Sequence, residues 1–345
     1  LSELLGVTVF VLVLLCIIFH SVIDLKSLGF VGSIDSWRGT GPQLFLLDYH
    51  LHRDKAIPLW NFLMFCGQPF VPNIVGMPFY PPNLLRSVFT LSQTPFATHV
   101  GLLVLVIFHY IVCATGIYSL VRALGASRAA GTVAILVFAF NYGYQVRSTQ
   151  HYFHTFAVAW LPWVILSLRN IMESDAIKRK AFFGLWAALG FGLIFLCGSG
   201  NEMTLYIGMC IASYCVLWCI VRLDLLVASP RAYSLNVFSN VCVVVLAGVV
   251  GLGLGAACIV PTLDLANHTT RVVLKDTFVS TGGFGGSVYV SATRTVDRSV
   301  MALLRTFATF PGQTGPGGIT GAGACALVLA AWGVFSSRRR EAFLF

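Results

Sequence analysis

The chain has 345 residues, of which 57% are hydrophobic and 10% are charged, and its mean hydropathy is +0.84. Soluble globular proteins carry about a quarter charged residues, so this composition excludes that class and indicates a polytopic membrane protein. The net charge of +9 does not indicate nucleic-acid binding, because the cations lie mostly in short loops and at the ends of apolar runs.

The ten cysteines form no pattern typical of a disulfide scaffold or a metal site. Eight of them lie inside apolar runs, where a thiol behaves as a small apolar side chain: Cys16, Cys113, Cys210, Cys215, Cys219, Cys242, Cys258 and Cys325. The chain has no CxxC pair, so the sequence predicts no metal site built on cysteine.

Apolar runs of about 20 residues predict helices that cross a bilayer. The predicted spans are 4–23, 100–121, 129–140, a fourth that ends at Leu168 with Pro162 near its start, 181–197, 204–221, 237–259 and 319–335. We therefore expect an all-α fold, a polytopic transmembrane helix bundle with about eight spans in residues 1–345. We expect this single transmembrane domain to be incomplete at one or both ends, because it starts without Met and ends on EAFLF, which resembles the opening of another apolar run.

The short loops between the predicted spans show a strong bias in basic residues. One set of loops contains Arg122, Arg128, Arg169, Lys178, Arg179, Lys180, Arg222, Arg231 and Arg338–Arg340. The opposite short turns contain Arg147 and no other Lys or Arg. By the positive-inside rule the first set is cytoplasmic, and the two large loops, 24–99 and 261–318, then lie on the extracytoplasmic face.

The first large loop is rich in proline and in aromatic residues. Its prolines prevent a long helix: Pro58, Pro69, Pro72, Pro78, Pro81 and Pro82. Aromatic side chains lie between them: Trp60, Phe62, Phe65, Phe70, Phe79 and Tyr80. This composition predicts an ordered segment along the membrane face with its aromatic residues at the headgroup level, and long ordered loops usually carry function.

The predicted outer loops hold charged, amide and imidazole side chains that a purely structural loop does not need. In chain order these are Asp35, Asp48, His50, His52, Arg53, Asp54, Arg147, His151, His154, Asn201, Glu202, Asp264, His268 and Arg271. Helical spacing places Asp48 and His52 on one face. His50 and His52 have no third ligand at a diagnostic spacing, so we interpret them as interfacial side chains. His109 lies inside an apolar run, and we interpret it as a neutral, hydrogen-bonded histidine.

Several segments of the chain, in their order, resemble a known family. After Asp35 come PLWNFLMFCGQPFVPN, FYPPNLL, GIYSLVRALGASRAAGTVAILVFAFN, AWLPWVILSL, GSGNEMTLY and LGLGAACIVPTLDLANHTTR. Together they are similar to the YfhO-type bacterial membrane proteins, which belong to the GT-C class of glycosyltransferases that use lipid-linked sugars. The resemblance covers nearly the whole chain. Phe62 stands where the family often has Pro, and Ile34 stands where Gly is common before the acid.

The resemblance implies a GT-C-like bundle in a bacterial cytoplasmic membrane. It also implies transfer of a sugar from a polyprenyl-phosphate donor to an extracytoplasmic acceptor. Asp35 is then the candidate base, because a carboxylate is suited to deprotonate an acceptor hydroxyl. Arg147, His151 and Arg271 are candidate contacts to the leaving phosphate, for which a guanidinium has a suitable geometry.

Further candidates for substrate binding come from the other matched segments. Glu202 is a candidate partner of an acceptor hydroxyl, a cation or an arginine. Trp60, Asn61 and Tyr80 belong to the PLWN and FYPPNLL segments and could line a sugar site. The resemblance leaves open whether a divalent metal ion is a cofactor.

Simpler interpretations of the same residues also stay open. Asp35 fits a helix cap or a surface charge. An ion pair between Arg147 and Glu202 explains these two residues as well as substrate binding does. The rings of Trp60 and Tyr80 fit interfacial anchors.

Three functions are compatible with the sequence. The first is a membrane glycosyltransferase with a polyprenyl-phosphate-linked sugar as donor. The second is a GT-C-like scaffold without its chemistry, serving as an accessory or structural subunit of a larger membrane complex. A transporter is the least favoured, because the sequence shows no pair of broken helices at midplane. Membrane lipids are expected partners in every case, and other membrane subunits in the second.

Overall fold

The computed structural model of the protein describes residues 2–18, 40–63, 67–72, 74–90, 94–141, 144, 152–197, 202–221 and 230–267, and these are mostly helical. The helices are α1 Ser2–Ile18, α2 Gly41–Arg53, α3 Pro81–Phe89, α4 Pro95–Ala123, α5 Arg128–Ala139, α6 Tyr152–Glu173, α7 Ile177–Leu196, α8 Glu202–Val221 and α9 Pro230–Asn267. Two short strands, β1 Trp60–Asn61 and β2 Gln68–Pro69, and a 3₁₀ turn, Ile74–Gly76, lie between α2 and α3. The predicted eighth span, 319–335, lies outside the described residues.

The α4 and α5 helices each begin at a residue whose side chain caps the first turn. The side chain of Thr94 accepts a hydrogen bond from the Ala97 backbone N–H at 3.2 Å, and Pro95 occupies the first turn of α4. Ser127 caps α5 in the same way, by accepting from the Ala130 backbone N–H at 3.2 Å. Such caps satisfy backbone donors that have no partner inside the helix, so α4 begins five residues before the predicted Val100.

Four described helices are long and apolar enough to cross a membrane: Pro95–Ala123, Tyr152–Glu173, Ile177–Leu196 and Ser234–Leu265 within α9. They indicate a multi-pass membrane protein in contact with lipid. Three further apolar stretches of 10–17 residues lie in α1, α5 and α8: Ser2–Ile17, Arg128–Ala139 and Ile207–Ile220, the last within the 20 residues of α8. The predicted third span corresponds to α5, whose 12 residues rise only about 18 Å, against about 30 Å for the hydrocarbon core.

Two prolines that we predicted near span boundaries lie inside helices instead. Pro162 is in the middle of α6, which begins ten residues earlier at Tyr152. Pro261 was predicted to open the second large loop, but α9 continues to Asn267. A proline removes one backbone donor, and neighbouring groups in a membrane bundle can compensate for it.

The described helices pack in alternating directions. Glu3 at the start of α1 contacts Tyr118 near the end of α4, so these two helices are antiparallel. The α4 and α6 helices run parallel, because His109 stacks on Phe156 and, further along, the Val112 carbonyl accepts from Trp163 Nε1 at 2.9 Å. The largest apolar cluster lies between α4, α6 and α7. This arrangement is the one expected of consecutive membrane crossings.

The α7 and α9 helices run parallel and pack closely along small residues. A Cβ at Gly184 would lie 2.8 Å from Val243, and one at Gly192 would lie 2.9 Å from Leu254. On the facing helix, a Cβ at Gly251 would lie 2.4 Å from the Phe191 Cβ. The absence of side chains therefore sets the distance between the two helices.

Glycines repeat at short spacing in α7 and α9, and this pattern predicts close helix contacts: Gly184, Gly190, Gly192, Gly248, Gly251, Gly253 and Gly255. The structure confirms this for only some of them. Gly248 and Gly253 face away from α7, and no described residue lies within 4 Å of a Cβ built on either. The other five have close neighbours in the structure.

Lys180 does not lie in an exposed cytoplasmic loop, as its position in a charged run had predicted. It is inside α7 and is only 3% exposed. Its Nζ donates to Asn236 Oδ1 at 2.5 Å and lies 3.4 Å from Ser239 Oγ, both on α9. The polar start of α9 accounts for the burial, because its side chains offer acceptors to the ammonium.

Candidate functional site

The residues between α1 and α4 that the structure describes, 40–63, 67–72 and 74–90, form a folded unit, which we call the outer segment after the face predicted for it from the sequence. Its PLWN and GQP motifs pair with each other as antiparallel strands, with Trp60 opposite Pro69 and Asn61 opposite Gln68. Gly67 has φ +108°, and a Cβ there would lie 2.6 Å from Trp60 Nε1. The glycine of the GQP motif is therefore required both by its backbone conformation and by the indole that covers it.

A buried charge cluster joins the outer segment to α4. Arg86 Nη1 and Nη2 donate to the two carboxylate oxygens of Asp48 at 2.9 and 2.6 Å, and both side chains are almost fully buried. Asp48 also accepts from Thr98 Oγ1 at 2.6 Å and from the Ser87 hydroxyl. Asn83 Oδ1 accepts from Arg86 Nε at 2.8 Å. Both oxygens of the Asp48 carboxylate thus accept two hydrogen bonds each, and the cluster fixes α2, α3 and α4 to one another.

The two histidines of α2 have separate partners. His52 Nε2 lies 2.7 Å from the Ser87 carbonyl, so His52 and Asp48 face α3 together, as their helical spacing predicted. His50 Nδ1 lies 2.6 Å from Asp54 Oδ2 near the surface.

A second buried contact joins the outer segment to the membrane helices. Tyr80 is fully buried, and its hydroxyl lies 2.5 Å from His109 Nε2 on α4 and accepts from Trp160 Nε1 on α6 at 2.7 Å. Burial raises the pKa of Tyr80 well above its usual value, so the hydroxyl keeps its proton. His109 Nδ1 lies 2.6 Å from the Leu105 carbonyl, which can only accept. The donors and acceptors match a neutral imidazole, with Nδ1 protonated and Nε2 accepting from Tyr80.

Residues in and on either side of β1 expose a group of apolar side chains, which we call the hairpin tip. Its side chains are Leu59, Trp60, Phe62 and Leu63, with exposures between 48% and 80%. Asn61 between them is buried, and its Oδ1 accepts from the Leu63 backbone N–H at 2.9 Å. Asn61 therefore shapes the turn, while the apolar side chains around it project outward.

The predicted site residues fall into three groups. Asp35, Arg147, His151 and Arg271 lie outside the described residues, and so does the side chain of Glu202, whose backbone begins α8. Trp60 is exposed on the hairpin tip, and Asn61 is buried beneath it. Tyr80 is neither an exposed sugar platform nor an interfacial anchor, because its ring is enclosed by His109 and Phe156.

The structure brings together the helix ends that flank these residues. The start of α4 meets the outer segment at Thr98 and Asp48. The end of α9 meets it at Thr262, whose Oγ1 lies 3.1 Å from the Pro72 carbonyl. The start of α6 meets the end of α7, where Cys197 Sγ lies 3.6 Å from the carbonyl of Phe153. The described parts of the chain next to these candidate residues thus share one end of the bundle.

Sequence reasoning missed Arg86, although a signal for it was present. It is the single Lys or Arg between Lys55 and Arg122, in a stretch otherwise dominated by apolar and aromatic residues. A lone arginine in such a stretch needs a buried partner. Asp48, which we did single out, is that partner, but their separation of 38 residues hides the pairing from any local pattern.

Within the described ranges, no group of three or more His, Cys, Asp or Glu side chains could hold a metal ion. No family model matches the chain, and no curated protein or solved structure is significantly similar to it.

Proposed function

We propose that the protein is a membrane glycosyltransferase that moves a sugar from a polyprenyl-phosphate donor to an extracytoplasmic acceptor. Asp35 acts as the base on the acceptor hydroxyl, and Arg147, His151 and Arg271 contact the leaving phosphate. Glu202 holds the acceptor or an adjacent cation. The proposal rests first on the order of the GT-C-like motifs along the chain.

One structural observation supports this function most directly. The outer segment is joined to the bundle by two buried polar clusters, and it presents the apolar hairpin tip with Trp60 and Phe62 exposed. An exposed apolar tip on a fixed platform suits contact with the membrane surface, from which a polyprenyl donor must come.

The test is donor turnover by the purified full chain in liposomes. Free polyprenyl phosphate is measured after incubation with a panel of polyprenyl-phosphate-linked sugars and hydroxyl acceptors. Asp35→Asn should lower the rate by about 10²–10⁴-fold, because an amide cannot take the proton of the acceptor. Arg147→Ala and Arg271→Ala should raise the KM for the donor. Asp54→Asn is the matched control, since Asp54 is an exposed carboxylate of the same predicted loop, 24–99, and its rate should equal that of wild type.

Full activity in Asp35→Asn would remove Asp35 as the base. Wild-type protein that turns over no donor in the panel would contradict the enzyme itself.

The accessory-subunit function is kept as a second candidate because of one observation on α9. Within Ser234–Leu265, only 22% of an apolar stretch of 18 residues is buried, compared with 44–56% of the corresponding stretches in the other three candidate spans. A larger membrane partner could cover this face. Co-purification of a stable complex, together with the absence of donor turnover, would favour this second function.

A further inference from the structure

A groove of about 490 Å³ lies between α1, α4 and α5, at the end of the bundle opposite the outer segment. Its mouth is polar, with Glu3, Tyr118 and Arg128, and its wall along α1 is apolar, with Gly6 and Phe10. No described residue lies within 4 Å of a Cβ built on Gly6, so this glycine keeps the groove open.

Glu3 and Arg128 line the mouth of the groove, and Arg122 lies beside it, next to Glu3; together the three side chains carry a net positive charge. Arg128 Nη2 lies 2.6 Å from Glu3 Oε1, and Arg122 Nε lies 3.5 Å from Glu3 Oε2. Two guanidinium groups and one carboxylate leave a charge of +1 (two minus one). Arg128 Nε also donates to Glu3 Oε1, at 2.7 Å. The Arg128 side chain is nevertheless 75% exposed, so the N–H groups of its guanidinium that do not face Glu3 are accessible to a ligand at the mouth.

The depth of the groove matches part of an acyl chain. Glu3 and Phe10 are seven residues apart on α1, which corresponds to about 10 Å along the helix axis. The groove therefore starts at a charged mouth and continues about a third of the way across a hydrocarbon core of about 30 Å. A small soluble anion would use the mouth and leave the apolar wall empty, whereas a lipid would use both.

We propose that this groove binds one anionic phospholipid, with its phosphate at Arg128, beside Arg122, and one acyl chain along α1. The charge at the mouth selects an anionic headgroup over a zwitterionic one. The same end of the bundle carries the basic short loops that the positive-inside rule assigns to the cytoplasmic face, where anionic lipids are common. This site lies at the end opposite the proposed sugar-transfer site and does not depend on it.

The test is titration of the detergent-purified full chain with fluorescent phosphatidylglycerol and fluorescent phosphatidylcholine. Phosphatidylglycerol should bind more tightly. Arg128→Gln should weaken its binding by about fivefold, the effect of one basic side chain near a membrane surface, and should leave phosphatidylcholine unchanged. Arg53→Gln is the matched control, because Arg53 is an exposed arginine at the other end of the protein, and it should change neither affinity.

A second variant tests the apolar wall without touching the charges. Gly6→Leu should fill the groove and reduce phosphatidylglycerol binding, while Gly248→Leu, on a helix face that is also open, should not. Equal affinity for both lipids, or unchanged binding in both Arg128→Gln and Gly6→Leu, would overturn the proposal. It would also be overturned if inorganic phosphate raised the Tm in an Arg128-dependent way and neither lipid bound.

Discussion

Asp48 and Arg86 show how two charged side chains are buried in this chain with their hydrogen bonds satisfied. Each oxygen of the Asp48 carboxylate accepts from the Arg86 guanidinium and from one hydroxyl. Arg86 Nε donates to Asn83 Oδ1. Removing both charges from such a pair is often tolerated, whereas removing one leaves the other buried without a partner. The pair therefore fixes the fold of the outer segment more than it adds net stability.

Arg86→Ala should lower the free energy of unfolding by about 3–5 kcal/mol, because it leaves the buried Asp48 carboxylate without its ion-pair partner. The measurement is detergent- or heat-induced unfolding of the purified protein. Arg53→Ala, at an exposed position in the same segment, should change stability by less than about 0.5 kcal/mol. The double variant Asp48→Leu/Arg86→Met should be less damaging than Arg86→Ala alone. Equal stability of Arg86→Ala and Arg53→Ala would show that the pair is not buried.

Tyr80→Phe should destabilise the protein by about 1–3 kcal/mol, because His109 Nε2 and Trp160 Nε1 lose their shared partner in a buried site. Tyr49→Phe is the control, since the Tyr49 hydroxyl bonds the exposed Arg53 side chain. If the two variants unfold at the same temperature, the hydroxyl of Tyr80 does not hold the outer segment to α4 and α6.

For individual residues, the sequence predicted which side chains share a helix face more reliably than it predicted which side chains contact each other. The shared face of Asp48 and His52 follows from a four-residue helical spacing, and the structure has it. The Tyr80–His109 contact joins residues 29 apart, and the Asp48–Arg86 contact joins residues 38 apart. Such pairs depend on how the outer segment folds back on α4, which no local pattern contains.

The packing of α7 on α9 is decided by which face of each helix is free of side chains. Gly251 and Gly253 are two residues apart and indistinguishable by composition. A Cβ on Gly251 would lie 2.4 Å from Phe191 and 3.1 Å from the Ala188 carbonyl, whereas Gly253 faces open space within the described residues. The sequence predicted close contacts from glycine content, but only the helical phase separates the two positions.

Gly251→Ala should destabilise the protein by about 1–3 kcal/mol, since the backbone of α7 must move to admit the methyl group. Gly253→Ala should leave stability unchanged or raise it by up to about 1 kcal/mol, because alanine is the better helix former. Thermal unfolding of the two variants side by side makes the comparison. If Gly253→Ala lowered the stability as much as Gly251→Ala, this result would contradict the face of α9 that packs on α7 in the structure.

Across the whole molecule, hydropathy located the helices more reliably than it located their ends. The all-α bundle and the multi-pass character were predictable, since lipid leaves the backbone few alternatives to helix. The ends of α6 and α9 were not, because Pro162 and Pro261 break a helix in water but are accommodated inside this bundle. The candidate chemistry depends on a further step, which is the convergence of separate outer turns at one end.

The most direct test of that convergence is distance measurement by pulsed electron paramagnetic resonance on the full chain in nanodiscs. Spin labels should be attached through noncanonical amino acids, because the chain has ten cysteines. We predict that the pairs 35–147 and 35–271 are both separated by less than about 30 Å, the thickness of the hydrocarbon core. The control pair 35–129 is predicted from the loop charges to join opposite ends of the bundle, and its distance should be clearly longer. If either outer pair is as long as the control, Asp35 cannot share a site with those arginines, and the proposed transferase site does not exist.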